Sequence, residues 1–324
     1  MRLTTVIPTG GRAALLERTL AALLPQMPDA SEVIVVLDGD DPETLNLVGR
    51  MAGSSPGSLV ALSQPRAGQG AARNRGITAA RGRVVLMLDD DIVADPGMVE
   101  AHLVHHQDAP RRVVIGPLPI ERLEPEPAHH RVIRKWWERE LRHMARPAHR
   151  FTFRDFVTGN VSVSRAMLAE TGGFDPAFTG YGREDYELGA RLLAAGAEFV
   201  FEPAASGLHL YRKAVIDWLY QFESMGRADV YFARKHPALF EDIMRMASSP
   251  MPRPGRISAL LERVAERQNL RGGILWGWSA HFVMRTRYWE GIRAAVESPD
   301  EYEHIATTCR RMHRWKWRRN DGRQ

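Results

Sequence analysis

The chain holds a single cysteine, Cys309, in 324 residues. An intrachain disulfide is excluded, and with it the stapled secreted scaffolds and thiolate zinc clusters that need several. Long apolar runs are missing as well. Stretches such as 20–24 and 84–88 fall far below the roughly 20 residues that cross a bilayer. Residues 1–7 carry one arginine and too short an apolar run to read as a signal peptide. Net charge is also scarce outside one segment. Seven of the 44 Lys and Arg lie in 310–324 against one acid, so the rest of the chain holds 37 basic and 38 acidic residues. A neutral body argues against a nucleic-acid-binding protein, which needs basic charge over a folded face. The expectation is a cytoplasmic chain, with peripheral docking at the inner face of a membrane through the tail as the alternative.

What is present has ordinary globular proportions, 44% hydrophobic, 26% charged and 8% aromatic, without internal repeats. Residues 4–8, 33–37, 59–62 and 84–88 read as strands. The second and fourth are continuously apolar, as in a parallel sheet covered on both faces. Leu16, Leu20, Leu23 and Leu24 recur at i, i+4, i+7 and i+8, one buried helical stripe between the first two strands. This βαβ order predicts an α/β fold with an open sheet. Asp95-Pro96 predicts an N-cap and first helical residue, with the helix running to His106. The proline-rich 117–150 stretch reads as an excursion with one helix over 132–144, carrying Arg131, Arg134, Lys135, Arg139 and Arg142 around Trp136 and Trp137. Alternation returns over 156–164, a helix over 184–195 stops at Gly196, and 198–201 is the last strand. Helices follow at 215–232 and 238–246, then a Pro/Gly-rich linker at 248–255. The expected organisation is a domain over 1–212 and a helical region over 213–324 with the basic tail 310–324.

Chemistry concentrates at a few points. The 84–88 strand runs straight into Asp89, Asp90 and Asp91, at the carboxyl end of a central strand, where open α/β sheets bind ligands. Like charges so placed call for a hard divalent cation shared with phosphate, or else form a solvated acidic loop. Glu184 and Asp185 open a helix, where the macrodipole alone explains acids, but the glycines at 172, 173 and 182 before them would present that helix start at a cleft. Asp38 ends the second strand and either accepts a hydrogen bond from a nucleobase imide or makes a turn with Gly39. Gly68-Gln69-Gly70 begins like a dinucleotide fingerprint, but Arg73 stands where the third glycine belongs, which rejects that reading. His209 is a metal ligand if the fold brings it to the carboxylates, and a structural or surface histidine otherwise.

Val6-Ile7-Pro8-Thr9, Val33 to Asp38, Ala72-Arg73-Asn74-Arg75-Gly76-Ile77, Leu88-Asp89-Asp90-Asp91, Gly159-Asn160, Gly172-Gly173-Phe174-Asp175 and Glu184-Asp185 occur in that order. Over 1–212 the chain thereby resembles the family 2 glycosyltransferases. The resemblance implies a GT-A fold, an open mixed sheet with a Rossmann-like nucleotide-binding half, followed here by the C-terminal helical region. It implies that Asp91 reaches a Mg2+ or Mn2+ ion on the diphosphate, with Asp89 near ribose or metal and His209 completing the shell. Asp38 would read the uracil of a UDP-sugar, Pro8 and Thr9 would belong to the base pocket, and Arg12, Arg73 and Asp90 would lie along the nucleotide sugar. Asp185 is implied as the general base with Glu184 beside it, and Gly159, Asn160 and Gly182 on the acceptor side. Such an enzyme transfers a sugar to an acceptor hydroxyl by one displacement that inverts the anomeric carbon. The chain departs from the family at Gly10-Gly11-Arg12, where an aromatic and an Asn often precede Arg, and at Leu37-Asp38, where an acidic pair is common.

The acceptor is a glycan, a lipid carrier or a small molecule. The basic helix with Trp136 and Trp137 either binds an anionic acceptor or is a solvated helix with core-facing tryptophans. The tail, with Trp315 and Trp317, either docks on an anionic membrane or solubilises the chain end. Two other classes stay open. A nucleotidyltransferase would carry a longer Gly-rich first loop than Thr9-Gly10-Gly11-Arg12, and a non-catalytic nucleotide-sugar-binding or membrane adaptor would have no use for Asp185.

Overall fold

The computed structural model describes residues 2–53, 58–245, 247 and 256–320, with backbone alone at 256–258 and 313–320. The expected linker at 248–255 and most side chains of the basic tail therefore lie outside the described residues. The strands are β1 (Leu3–Thr9), β2 (Glu32–Asp38), β3 (Ser58–Gln64), β4 (Val84–Leu88), β5 (Ile92–Ala94), β6 (Arg112–Ile115), β7 (Asn160–Ser164), β8 (Glu198–Phe201) and β9 (Gly207–His209). Seven form a mixed sheet in the order β3-β2-β1-β4-β7-β6-β8, and β5 with β9 forms a separate antiparallel ribbon. The run β3-β2-β1-β4 is parallel, while β7 opposes both β4 and β6.

The apolar strands divide their side chains between two cores because successive residues point to opposite faces. Leu3, Ile7, Val33, Val35, Leu37, Leu86 and Leu88 pack under the Ala13–Leu23 helix with Leu16, Leu20 and Leu23. Val6, Ile34, Val36, Val85 and Met87 face the other way, toward Ala72, Val161, Val163, Phe174 and Leu188. The Gln69–Ala79 helix lies against this second face at Gly76, whose Cβ, if it had one, would sit 2.3 Å from Val6 Cγ1 and 3.2 Å from Val36 Cγ2. Both neighbours are fully buried strand residues with nowhere to move. Gly76→Ala is expected to lower stability by about 1–3 kcal/mol, read by denaturant unfolding. An unchanged midpoint would mean that the helix does not pack as described.

Several boundaries differ from the sequence expectations. Asp95-Pro96 starts a turn, closed by Met98 N donating to Asp95 O, and the helix is Met98–Val104 with left-handed Gly97 as N-cap. The alternation over 156–164 is a strand only from Asn160, since residues 158–159 form a turn just before it. β5, β6 and β9 have only three or four residues each, too few for periodicity to register. The basic helix starts early, at Ala128, and runs to Met144.

Beneath β7 lies a buried polar cluster. His102 Nδ1 is 2.9 Å from Ser162 Oγ, its Nε2 is 2.8 Å from Asn160 Oδ1, and His106 Nε2 is 2.8 Å from the same Ser162 hydroxyl. Burial pushes both imidazoles down to about 4. The folded state therefore keeps them neutral while the unfolded chain takes up protons near pH 6.5. Their stabilisation is fully present above pH 6.5 and is lost as pH falls from there toward 4, with His102 alone contributing about 3 kcal/mol. A urea series between pH 7 and 4.5 is expected to show the loss, and His102→Gln should flatten it. A pH-independent midpoint would contradict the burial of neutral imidazoles.

The chain divides into two compact units. The sheet and its helices make up the first, comprising residues up to Arg122, Val132–Thr179 and Glu184–Tyr211. The second takes in Leu123–Arg131, Gly180–Arg183 and residues from Arg212 onward, and is helical: Val215–Lys235, Phe240–Met244 after the Pro237–Leu239 turn, Arg256–Arg267, Ile274–Ala295 and Pro299–Asn320. Val215–Lys235 and Ile274–Ala295 meet backbone to backbone, because a Cβ on Gly226 or Gly291 would fall about 2 Å from Tyr288 O or Glu223 O. In the interior of this unit Arg183 donates to Asp229 through Nε at 2.6 Å and a second nitrogen at 3.1 Å, and the Tyr288 hydroxyl donates to the same carboxylate at 2.6 Å. Among the described residues no helix is long and apolar enough to cross a membrane.

Candidate active site

The site forms where the sheet changes direction. β4 ends at Leu88 opposite Asn160 of antiparallel β7, and Asp89 N donates to Gly159 O at 3.1 Å. Gly159 has room for no side chain, since a Cβ would lie 2.8 Å from Leu118 Cδ1 and 3.3 Å from Asp89 Oδ2. From this point the three carboxylates separate, Asp89 to Arg73, Asp90 into the interior and Asp91 toward His209, with Arg12 shared by the last two.

Asp89 Oδ1 accepts from Arg73 NH2 at 2.8 Å, while NH1 of the same arginine lies 3.5 Å from Glu184 Oε1. Arg73 is buried and packs over the Phe174 ring at 5.5 Å. Burial opposes its charge, but Asp89, Glu184 and Asp185 outweigh that and hold its pKa above the ordinary value. This bridge ties the start of the Glu184–Ala194 helix to the end of β4. Asn74, the next residue, accepts from Phe174 N at 2.8 Å and donates to Phe174 O at 2.7 Å. A Cβ on Gly173, where φ is +68°, would fall 2.6 Å from Asn74 Oδ1. Two motifs a hundred residues apart are thus joined by one amide.

Asp90 turns inward. Its carboxylate is fully buried, accepting from Thr9 Oγ1 at 2.6 Å and pairing with Arg12, while Thr19 Oγ1 donates to its backbone oxygen at 2.9 Å. Burial pushes its carboxyl up to about 6 against the pull of Arg12 and Thr9. The expectation that Asp90 lies along the nucleotide sugar gives way to a supporting role, because no oxygen is left facing outward. Arg12 also donates to Asp91 Oδ2 at 2.8 Å, so its guanidinium braces the acidic loop.

Asp91 Oδ1 is buried without a hydrogen bond and faces His209 Nε2 at 3.4 Å. The β5–β9 ribbon makes this meeting. Ile92 pairs with His209, and Leu210 N donates to Asp91 O at 2.8 Å. Tyr211 packs edge-on against the imidazole at 5.6 Å. Burial would raise the Asp91 carboxyl, but His209 and Arg12 hold it below the usual range. An orphaned carboxylate oxygen beside an imidazole nitrogen suits a Mg2+ or Mn2+ ion, which takes oxygen ligands and keeps several from phosphate and water. Of the three ligands expected, Asp91 and His209 come together and Asp89 is engaged by Arg73. Among the described residues no three His, Cys, Asp or Glu side chains make a complete metal shell.

Beside the carboxylates a cavity of about 310 Å³ opens between the ends of β1 and β2, lined by Thr9, Gly10, Gly11, Asp38–Pro42, Glu43 and Arg66. Pro8 is buried within β1 and is not among the residues that line this cavity, whereas Thr9 is. Asp38 is on the wall, but Oδ1 accepts from Gln64 Nε2 at 2.9 Å and Ala67 N at 2.7 Å, and Oδ2 accepts from Gly68 N at 2.8 Å. It therefore anchors the loop that opens the Gln69–Ala79 helix as well as facing the cavity. Asp41 caps the Pro42–Ala52 helix by accepting from Thr44 N. Asp40 and Arg66 are exposed on the same wall.

Asp185, half-buried in the first turn of its helix, accepts from Tyr186 N at 2.8 Å. Glu184 is buried, and its Oε2 has no hydrogen bond. The remaining expectations divide. Asn160 is interior, with Oδ1 on His102 and Nδ2 donating to Ala205 O at 2.7 Å, so its side chain is used within the fold. Trp137 Nε1 donates to Leu118 O at 2.7 Å, whereas Trp136 is exposed and not core-facing. Gly182 belongs to the second unit, with φ +87°. Sequence reasoning assigned no role to Thr19, Asn74 or Tyr211. Asn74 had a signal, since it lies inside a quoted motif, and the other two had none.

A family model described as Glycosyl transferase family 2 matches residues 4–172, just over half the chain. The chain belongs to glycosyl transferase family 2. Residues 139–213 of this glycosyltransferase also match a model described as the N-terminal domain of galactosyltransferase. It is 31% identical over 265 residues to a validoxylamine A glucosyltransferase of Streptomyces hygroscopicus subsp. limoneus, covering 74% of this chain and 58% of that one. It is 29% identical over 238 residues to a pre-mycofactocin glycosyltransferase of Mycobacterium tuberculosis (strain CDC 1551 / Oshkosh), covering 72% and 48%. The chain thus spans about half to three fifths of the length of these relatives. Among solved structures, a mannosyltransferase from Pyrobaculum calidifontis in complex with GDP-Man and Mn2+ superposes with a TM-score of 0.57 at 17% identity, covering 90% of this chain and 86% of that one. S. aureus TarS 1-349 does so at 0.55 and 13%, covering 96% and 92%. These likenesses establish the GT-A fold of the family 2 glycosyltransferase.

Proposed function

We propose that this family 2 glycosyltransferase moves a sugar from a UDP-sugar to an acceptor hydroxyl with inversion, dependent on a divalent metal. The observation that carries the reading is the meeting of buried, unsatisfied Asp91 Oδ1 with His209 beside a cavity that ends on Asp38. Asp91 and His209 would hold the ion, which when bound would neutralise the departing diphosphate. Support for a metal also comes from the Mn2+ present with GDP-Man in the Pyrobaculum calidifontis structure.

Every other part of the reaction falls to side chains of the chain itself. Arg73 holds a fixed positive charge between the end of β4 and the Glu184–Ala194 helix, and we assign it to the side of the site that the diphosphate takes. Asp185 accepts the proton from the acceptor hydroxyl as that oxygen attacks the anomeric carbon. Glu184, with its free buried oxygen, orients a sugar hydroxyl by accepting from it. Asp90, paired with Arg12 and Thr9, keeps the acidic loop in shape from inside, while Thr9 also lines the cavity. For the acceptor we favour a hydroxylated small molecule over a glycan or lipid carrier, since the relatives at 31% and 29% identity are named for validoxylamine A and pre-mycofactocin.

A thermal-shift panel of UDP, GDP, dTDP and CDP, each with and without Mn2+, tests the donor. A ligand at about 100 times its Kd stabilises the fold by about 2.7 kcal/mol. A Mn2+-dependent shift with UDP alone is expected. A preference for GDP would discard the uracil assignment of Asp38 while keeping the enzyme class.

A further inference from the structure

The second unit displays an apolar tip that the transfer chemistry does not use. The Arg256–Arg267 and Ile274–Ala295 helices lie side by side, joined by the Arg287–Glu262 ion pair at 2.5 Å, and the turn between them carries Leu270. Ile274 is 85% exposed, Trp278 79%, Leu270 65% and Leu275 60%. Ile274 and Trp278 stand at i and i+4, on one face of the first helical turns, with Leu275 next to them. Four large apolar side chains so close in sequence and so open to water form a patch of the kind that marks an interaction site.

The turn that bears them is held rigidly from its inner side. Asn269 is buried; its backbone oxygen accepts from Ala128 N at 2.7 Å, its Oδ1 accepts from His129 N at 3.1 Å, and its Nδ2 lies 2.8 Å from His129 Nδ1. The other ring nitrogen of His129 lies 2.9 Å from Lys213 O. Gly272 and Gly273 both adopt positive φ, and a Cβ on Gly272 would come within 3.3 Å of Ala128 Cβ. The apolar residues are therefore presented outward by an anchored turn, not left out by a loose one.

Charge tells what they meet. Arg267 and Arg271 flank the tip, exposed and without an ion pair among the described residues, and Arg263 is exposed one turn earlier, against the single exposed acid Glu266. A second copy of the chain packed tip to tip would bring these unpaired arginines onto each other. An anionic bilayer surface offers them counter-charge while taking Trp278 and the aliphatic side chains at headgroup depth. We infer that the 267–278 hairpin tip docks this glycosyltransferase on anionic membrane, lying in the interface without spanning it. This surface uses residues other than those of the basic tail and does not depend on which donor is used.

Flotation of the full chain with vesicles of phosphatidylcholine, alone or mixed with phosphatidylglycerol, tests the inference. The wild type is expected to float with the mixed vesicles only. Ile274→Ser/Trp278→Ser and, separately, Arg267→Glu/Arg271→Glu should each weaken binding by at least about tenfold. Deletion of 313–324 should leave most of it, and the melting temperatures of the two double variants, all at exposed positions, should match the wild type. Binding unchanged in both double variants, or lost only with the tail, would overturn the assignment. So would a solution dimer that Ile274→Ser/Trp278→Ser dissociates while the wild type ignores vesicles, since the patch would then belong to a second copy.

Discussion

Asp185→Asn is expected to lower transfer by about 10²–10⁴-fold, the usual contribution of a positioned base, while leaving nucleotide and metal affinity in place. The substitution is isosteric, and Asn Oδ1 can still accept from Tyr186 N at the helix start. On the proposed mechanism, what is removed is the site for the acceptor's proton. The effect should fall on kcat more than on KM for the donor, because the hydroxyl needs deprotonation only as it attacks. Transfer at the wild-type rate would take the base role away from Asp185. Loss of UDP binding along with activity would place Asp185 in the donor site instead.

The second large effect is on stability. Arg73 is the buried link between Asp89 and Glu184, and removing one member of a buried charge network leaves the others uncompensated. Arg73→Met is expected to lower unfolding free energy by about 3 kcal/mol, at the low end for such pairs because Asp89 is partly exposed. If the cost comes from the orphaned carboxylates, then Arg73→Met/Asp89→Asn should recover part of it. A double variant no more stable than Arg73→Met would mean that packing of the arginine over Phe174, not charge, accounts for the loss.

Legibility in the sequence followed the length and regularity of each element. β1, β2 and β4 could be read because each is a run of at least five residues with the apolar pattern that burial on two faces requires, and edge strand β3 still carries an apolar stretch at 59–62. The acidic residues after β4 were equally visible, and their position at the strand end follows from the strand itself. Their separate fates were not. Asp90 turns into the core, where Thr9, 81 residues away, donates to it, and Asp91 turns toward His209, with Arg12 paired to both. His209 was nameable as a ligand only on condition that the fold delivered it. Delivery falls to the β5–β9 ribbon, three residues on each side, which leaves no period to detect. The burial of Asn160 and Pro8 was not legible, for a common reason. A motif fixes where the backbone passes, but the side chain of a central strand residue can point into the core on either face. Asp38 shows the remaining limit, since a carboxylate at a strand end can face a pocket and also hold a loop, and only the donors at Ala67 and Gly68 reveal the second task.

The central claim is that Asp91 and His209 bind a divalent ion that secures the nucleotide. Titration calorimetry of UDP against the wild type and Asp91→Ala, with and without Mn2+, tests it most directly. The account predicts tight binding only for the wild type with Mn2+, and equally weak binding in the other three conditions. Binding to Asp91→Ala that still strengthens with Mn2+ as it does in the wild type would contradict the metal site.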